Sequence, residues 1–439
     1  MKGLRSTIVL AVILAGLAGY IYFVEVKKPA SGTPANEKVF TVDLDSVEEL
    51  IIKAADGEVT HIKKSPAQTW QVTEPVIADA DAGQPTAIAS GLNTLDIVRV
   101  VDEHPAAVKD FGLNPPRIDV AFRAKGDKDF RHLLIGDKTA TGSDLYAMRS
   151  GDQRLFLVSA SVENTFNQGT FALRDKGVLK FDRNSAETIE ITEGARTLAF
   201  AKAGDVEWNI TKPVALRGDF GAIDGVLNTL ATTEVQRFVD GETDLAKYGL
   251  DKPVLVATVS GGGKTTSLLF GKADGGHRFA KDSSRPIIFT VGDNLRTDLQ
   301  KNAPDLRRKD LFDARPYSAQ HFEFKRGAGV VAIEKAKGKD GVEVWKNAAG
   351  KELDTEKAAD PLNKFTNLRA DAIESTVPAA ARAPELTVVV RFDEGKRTET
   401  ISFARAGTDV YAVRDGEPGA AKVPAAAYED ALKAIDGLK

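Results

Sequence analysis

The chain contains no cysteine among its 439 residues. This removes disulfides, thiolate metal sites, thiol nucleophiles and an N-terminal lipid-anchored cysteine together. Histidine is nearly as scarce. His61, His104, His132, His277 and His321 show no spacing that places two on one helix face, and no His-Glu-x-x-His occurs. They read as scattered strand or surface residues. Concentrated positive charge is missing too: 59 Lys and Arg are interspersed among 63 Asp and Glu, for a net charge of −4. Without a basic patch or an aromatic-interleaved stripe, nucleic acid is not an expected partner. These patterns supply no catalytic set, no cofactor site and no metal ligands, so the expectation is a protein that is not an enzyme.

Long apolar runs are absent as well, with one exception. Residues 8–24 read IVLAVILAGLAGYIYFV without a charge, behind a short tail (1–7) that carries Lys2 and Arg5. A helix of about 17–20 such residues spans the hydrocarbon layer. Tyr20 and Tyr22 fall near one end, where aromatic rings favour the membrane interface. The alternative is a cleaved signal peptide, but the run exceeds the usual 7–15 residues and no A-x-A site follows it. The expectation is a single-pass signal anchor in a bacterial inner membrane. Lys27 and Lys28 balance Lys2 and Arg5, so the positive-inside count is a tie. The short N-tail ahead of a long polar domain favours a periplasmic bulk. Residues 25–38, with their Lys-Pro and Ser-Gly-Thr-Pro, read as a tether.

What is present is repetition. Trp70-Gln71-Val72-Thr73-Glu74-Pro75 returns 138 residues later as Trp208-Asn209-Ile210-Thr211-Lys212-Pro213, and the third and last tryptophan, Trp345, follows 137 further on. Ahead of each Trp lies a strand pair: Val47 to Ile52 with Glu58 to Lys63, Ser185 to Thr192 with Arg196 to Lys202, and Gln320 to Lys325 with Val330 to Lys335. Gly57, Gly194 and Gly327 mark the turns. After each Trp comes a one-sided apolar helix face, Ile88, Leu92 and Leu95, repeated as Ile223, Leu227 and Leu230. In the third copy Leu362 and Phe365 take those places, and Pro361 behind Asp360 predicts a helix starting late, with the proline in its first turn.

The strands Ile97 to Val101 and Glu234 to Val239 follow, then a helical turn closed by Phe111-Gly112-Leu113 or Tyr248-Gly249-Leu250. The third copy has only an Ala-rich stretch from Pro378 to Pro384 there, which predicts that it lacks this element. Alternating strands begin at Ile118, Val254 and Leu386. Further strands hold Tyr146, Phe279 and Tyr411, and Val158, Val291 and Val423 fall twelve residues after those aromatics. A closing amphipathic segment ends each copy. The fold class expected is α+β: an N-terminal transmembrane helix, then three tandem repeats at 39–178, 179–310 and 311–439, the last divergent. Each is a mostly antiparallel sheet with two helices.

The Trp-x-x-x-x-Pro stretch, Phe/Tyr-Gly-Leu-x-x-Pro, the Leu-Leu-Ile-Gly136 and Leu-Leu-Phe-Gly271 strands and Leu173-Arg174-Asp175-Lys176 resemble the bacterial domain-of-unknown-function family 4340. The resemblance covers the first two copies. It carries no catalytic residues. It implies an envelope accessory role, because genes of that family often lie beside components of ABC-type exporters similar to those of gliding motility.

Other local patterns have structural explanations. Gly261-Gly262-Gly263-Lys264-Thr265-Thr266 lacks the first glycine of a phosphate loop, having Thr258, and a strand rather than a helix follows, so a hairpin turn is expected. Arg217-Gly218-Asp219 precedes a helix, where Asp caps. Trp70 and Trp208 are the candidates for a ligand platform or interface, with core anchoring as the favoured alternative. Arg174-Asp175-Lys176 and Arg307-Arg308-Lys309 sit at repeat junctions and predict inter-domain ion pairs. The function expected is a membrane-anchored periplasmic scaffold or accessory of an ABC-type transport system. The alternative is an envelope ligand-binding protein or hydrolase using an inter-domain cleft.

Overall fold

The structure, a computed structural model, describes residues 37–204, 207–338 and 340–438. The run 8–24 expected to anchor the chain lies outside the described residues. No described helix is long and apolar enough to cross a membrane. The chain divides into two compact units, one ending at Lys176 and one running from Gly177.

The first unit holds one nine-stranded sheet. Strands β1 (Val47–Lys53), β2 (Val59–Lys64), β3 (Trp70–Glu74) and β4 (Ala78–Asp79) form a meander, and helix α1 (Gly83–Thr94) follows. Strand β5 (Arg99–Asp102) crosses to the far edge. A second meander, β6 (Ile118–Ala124), β7 (Arg131–Lys138), β8 (Asp144–Arg149) and β9 (Leu155–Ser159), then begins beside β1. Two short helices, α2 (Glu163–Phe166) and α3 (Thr170–Leu173), close it. The strand order is β4-β3-β2-β1-β6-β7-β8-β9-β5, and every pairing is antiparallel. Register follows the period-2 pattern. Leu50 faces both Ile62 and Phe122, Ile52 faces Val120, and Val120 faces Leu133, so one face is continuously apolar. Ile88 and Leu92 of α1 are fully buried on that core. Each contributes about 1.5–3 kcal/mol through the apolar area it removes from water.

The second unit contains two sheets. The first has β10 (Ala186–Glu193), β11 (Arg196–Lys202), β12 (Trp208–Lys212), β13 (Leu216–Arg217), helix α4 (Phe220–Thr232), β14 (Arg237–Val239), β15 (Leu255–Gly261), β16 (Lys264–Asp274), β17 (His277–Asp282) and β18 (Ile288–Gly292). Helices α5 (Asn294–Leu299) and α6 (Ala303–Leu306) close it, and its strand order repeats that of the first sheet. The other has eight strands: β19 (Ala319–Arg326), β20 (Gly329–Lys337), β21 (Glu343–Asn347), β22 (Ala372–Glu374), β23 (Leu386–Phe392), β24 (Arg397–Ala406), β25 (Asp409–Arg414) and β26 (Ala420–Val423). Its helices are α7 (Thr355–Thr366) and α8 (Ala425–Ala434). Mostly antiparallel sheets in repeated domains are thus the architecture. The glycine run is a hairpin: Gly262 and Gly263 have φ +57 and +74 between the paired residues Gly261 and Lys264.

Two expectations for the third copy are corrected. Helix α7 does not start at Pro361. It begins at Thr355, because the Asp354 side chain accepts from the N–H groups of Glu356 and Lys357 at 3.0 and 3.1 Å. Pro361 lies inside the helix and is buried. Nor is the turn before β23 missing: Ala379–Arg382 form a 3-10 turn, and Ala381 packs beneath it with Ala404 and Tyr411.

The motif glycines share one cause. In copies one and two the turn lies across the second face of the sheet, with Phe111 4.8 Å from Tyr146 and Tyr248 4.7 Å from Phe279. The carbonyl of Phe111 stands where a Cβ on Gly136 would be, at 2.0 Å, and that of Tyr248 is 2.2 Å from the same point on Gly271. The Tyr248 carbonyl also accepts the Lys272 N–H at 2.8 Å. A side chain at either glycine would lift the turn off the sheet. Gly271→Ala is expected to destabilise the protein by at least about 1–3 kcal/mol through overpacking against backbone. Gly225, in α4, meets nothing within 4 Å, so Gly225→Ala should stabilise by about 0.5–1 kcal/mol. Urea denaturation of both variants checks the opposite signs.

Candidate functional site: a charged cleft between the second and third repeats

The chain passes from the second repeat to the third as a segment with two isolated antiparallel bridges, Gly218 to Arg307 and Asp310 to Arg369. Asp219 N–H donates to Leu306 O at 2.7 Å and Arg308 N–H to Arg217 O at 2.9 Å, which ties the segment to the second sheet. One residue on, Ala370 N–H donates to Lys309 O at 2.8 Å, and Leu311 N–H to Leu368 O at 3.2 Å, which ties it to the third repeat. The side chains of this segment and its neighbours build the site.

Asp313, with 8 % of its side chain exposed, is the hub. Arg217 Nη1 lies 2.7 Å and Arg308 Nη1 3.0 Å from Oδ1, while Arg397 Nη2 and Arg414 Nη2 are each 3.1 Å from Oδ2. A second carboxylate, Glu417, takes Arg217, Arg307 at 2.6 Å and Arg414 at 3.3 Å. Arg217 from β13 and Arg307 from the junction therefore grip Glu417 in the loop between β25 and β26. Glu399 completes the set, accepting from the N–H groups of Asp313 and Ala314 at 3.0 and 2.9 Å and from Arg414 Nη1 at 2.7 Å.

Burial pushes the Asp313 carboxyl up, but Arg217 and Arg414 more than offset it and hold it below its usual value. Glu417 is lowered in the same way, desolvation being opposed by Arg217 and Arg307. A depressed folded-state pKa gives stability that is fully present above the unfolded value of about 4 and is lost as pH falls through the folded one. The melting temperature of the second unit should thus be flat from about pH 7 to 5 and fall below about pH 4. In Asp313→Asn that acid limb should be shallower, as read by calorimetry across pH.

Above the hub lies a cleft of about 370 Å³. It is lined by Arg217, Arg308, Asp310, Asp313 and Arg397, by Glu207, Trp208 and Asn209, and by the first turn of α4. Asp219 caps α4 by accepting from Ala222 N–H at 2.9 Å, so the Arg-Gly-Asp triplet is spent on helix start and ion pairs.

Of the two tryptophans singled out, Trp208 is 3 % exposed and belongs to the core, and its carbonyl accepts the Gly218 N–H at 2.8 Å. Trp70 holds the equivalent place in the first unit but is only partly buried, with the Lys64 ammonium 5.1 Å from its ring centre. Arg307 and Arg308 make the inter-domain ion pairs expected of them. In the first unit, Arg174 is 4 % exposed, and Asp175 N–H donates to Asp79 O at 3.0 Å. The histidines stay apart. His132 meets Asp119 at 2.9 Å and His61 meets Glu74 at 3.8 Å, and among the described residues no three His, Cys, Asp or Glu are grouped to hold a metal.

Asp313, Arg397, Glu399, Arg414 and Glu417 were not anticipated. One signal was available. A charged residue stands three positions after the aligned aromatic in every copy: Arg149, Asp282 and Arg414. Each grips the entry segment of its own repeat. Arg149 Nη1 donates to Val39 O at 2.6 Å and Arg414 Nη1 to Leu311 O at 2.8 Å, whereas Asp282, of opposite charge, accepts from Lys180 N–H at 3.0 Å.

The model of one protein family, Domain of unknown function (DUF4340), matches residues 70–208 and again 208–387. The chain belongs to the DUF4340 family. The first match runs from the Trp strand of the first repeat to that of the second, and the other continues from there into β23 of the third, so each DUF4340 match crosses a repeat junction. Among curated proteins, none matches this DUF4340 chain. Solved structures that align along most of it include a DNA polymerase sliding clamp from Pseudomonas aeruginosa with ligand, at 11% identity over 87% of this chain and 92% of that one, TM-score 0.15. A sliding clamp from Bacillus subtilis aligns at 10% identity, over 89% and 93%, again with TM-score 0.15. At that score the likeness carries no argument about fold or partner.

Proposed function

We propose that this protein is a membrane-anchored accessory or scaffold of an envelope transport system of ABC type. The anchor is residues 8–24, and the repeats stand on the periplasmic side. The observation that supports a scaffold over an enzyme is the hub. The charged side chains nearest the cleft pair mainly with one another, and in doing so they join the second repeat to the third. Family membership adds the envelope association implied by the resemblance.

Co-purification from membranes tests the partner. Recovery of transporter subunits with the tagged protein is expected, and a lone monomer under mild detergent would count against the proposal. Topology is tested separately. Alkaline phosphatase fused after Lys439 should be active, while a cytoplasmic reporter active at that position would remove the periplasmic assignment.

A further inference from the structure

Among the described residues, the second and third repeats share no apolar core. The cluster of the second ends at Leu306, that of the third begins at Leu311, and no cluster takes members from both. What joins them is polar. Arg217 reaches Asp313, Glu417 and the Asp310 carbonyl, Arg307 reaches Glu417 and the Pro418 carbonyl, and Arg308 reaches Asp313. Contacts of that kind between domains leave relative motion as the default, which a large apolar interface would suppress.

The backbone changes allegiance within two residues. Arg308 N–H is held by the Arg217 carbonyl of the second repeat, and the Lys309 carbonyl by Ala370 N–H of the third. The few dihedrals between those two bonds can absorb a rotation, as short hinges at the ends of elements do. The cleft of about 370 Å³ lies beside this point. Trp208 and Phe220 of the second repeat and Asp313 and Arg397 of the third are among its lining, so the repeats have room to turn.

We propose that Arg308 and Lys309 form a hinge and that the hub is its latch. With Asp313 and Glu417 ionised the third repeat is held against the second; with both neutral it swings free while each sheet stays folded. The groups around the two carboxylates set this sense. Asp313 meets Arg217 from β13, Arg308 from the junction, Arg397 from β24 and Arg414 from β25, and Glu417 meets Arg217, Arg307 and Arg414. Neutralising both leaves these five guanidiniums with Glu399 on Arg414, Asp393 on Arg397, and Asp310, which Arg308 shares with Arg315 and Arg369. Desolvation raises both carboxyls, but the arginines more than offset it and hold them below their usual values. The latch is therefore shut at neutral pH and opens as pH falls through those lowered values.

The absence of cysteine makes the test direct, because two introduced cysteines are then the only thiols to label. Nitroxides go on Gly276→Cys, at an open hairpin tip of the second repeat, and on Ala426→Cys, exposed on α8 of the third. Gly225→Cys with Gly276→Cys, both in the second repeat, is the control pair. Pulsed electron resonance on the full chain in detergent should give one narrow distance for the first pair at pH 7. Below about pH 4 that distribution should lengthen and broaden while the control distance holds. Asp313→Asn combined with Glu417→Gln should show the broad distribution already at pH 7. If that double variant melts early, the acid titration of the labelled parent decides alone. The proposal is overturned if the first pair stays narrow until the control pair also broadens, or if a folded double variant is as narrow at pH 7 as the parent.

Discussion

Asp313→Ala is expected to cost the second unit about 3–5 kcal/mol, the usual consequence of removing one partner from a buried charge set. The substitution leaves Arg217, Arg308, Arg397 and Arg414 facing one another where a carboxylate stood. Arg217 and Arg414 can retreat least, because only 17 % and 16 % of their side chains are exposed and both remain tied to Glu417. The loss should appear as the second and third repeats ceasing to melt together. Calorimetry would then resolve two transitions in place of one, while the first unit keeps its own. Asp313→Asn retains hydrogen-bond acceptance and should lose less. Replacing Asp313 and Arg217 together with apolar residues should recover part of the loss, since a buried ion pair exchanged for packed hydrocarbon is often neutral. A single unshifted transition in Asp313→Ala would show that apolar contacts, not the hub, hold the repeats together.

Trp208→Ala carries the second large effect, about 3–5 kcal/mol for truncating a buried aromatic. The ring packs in the core that contains Ile210, Ile223 and Leu227. Trp70→Ala should cost less, because that ring is only partly buried. Since Trp208 also borders the cleft and the strand it anchors leads into β13, its loss should weaken the grip of Arg217 on the third repeat. Effects of Trp208→Ala and Asp313→Ala should therefore fall short of additivity, whereas Trp70→Ala and Asp313→Ala should add. Denaturant midpoints of the single and double variants distinguish these outcomes.

Much of the architecture was legible because its causes are local. Period-2 alternation, turn glycines and the spacing of Ile88, Leu92 and Leu95 located strands and helices to within a few residues. Recurrence at fixed intervals showed that the unit repeats. Pro361 misled because a first-turn proline is the commoner arrangement, and the stronger cap at Asp354 lay seven residues upstream. The turn of the third copy was missed because both halves of its contact had changed. The Gly-Leu signature is gone, and the strand position held by Gly136 and Gly271 is Ala404. A strand glycine is needed only where a turn carbonyl presses on it, so the two features disappear together. The hub was hidden for another reason. Arg217 and Glu417 are 200 positions apart, and no local periodicity reports a pairing at that distance.

The shared segment from Arg307 to Leu311 also limits how such a chain can change length. Consecutive backbone groups serve different repeats, so one residue added between Arg308 and Lys309 would break a hydrogen bond on one side or the other. A hairpin tip such as Gly275-Gly276, where an added Cβ meets nothing within 4 Å, has no such constraint. Tags and probes belong at those tips. Over evolutionary time the same constraint favours gain or loss of entire repeats over gradual growth at the seams.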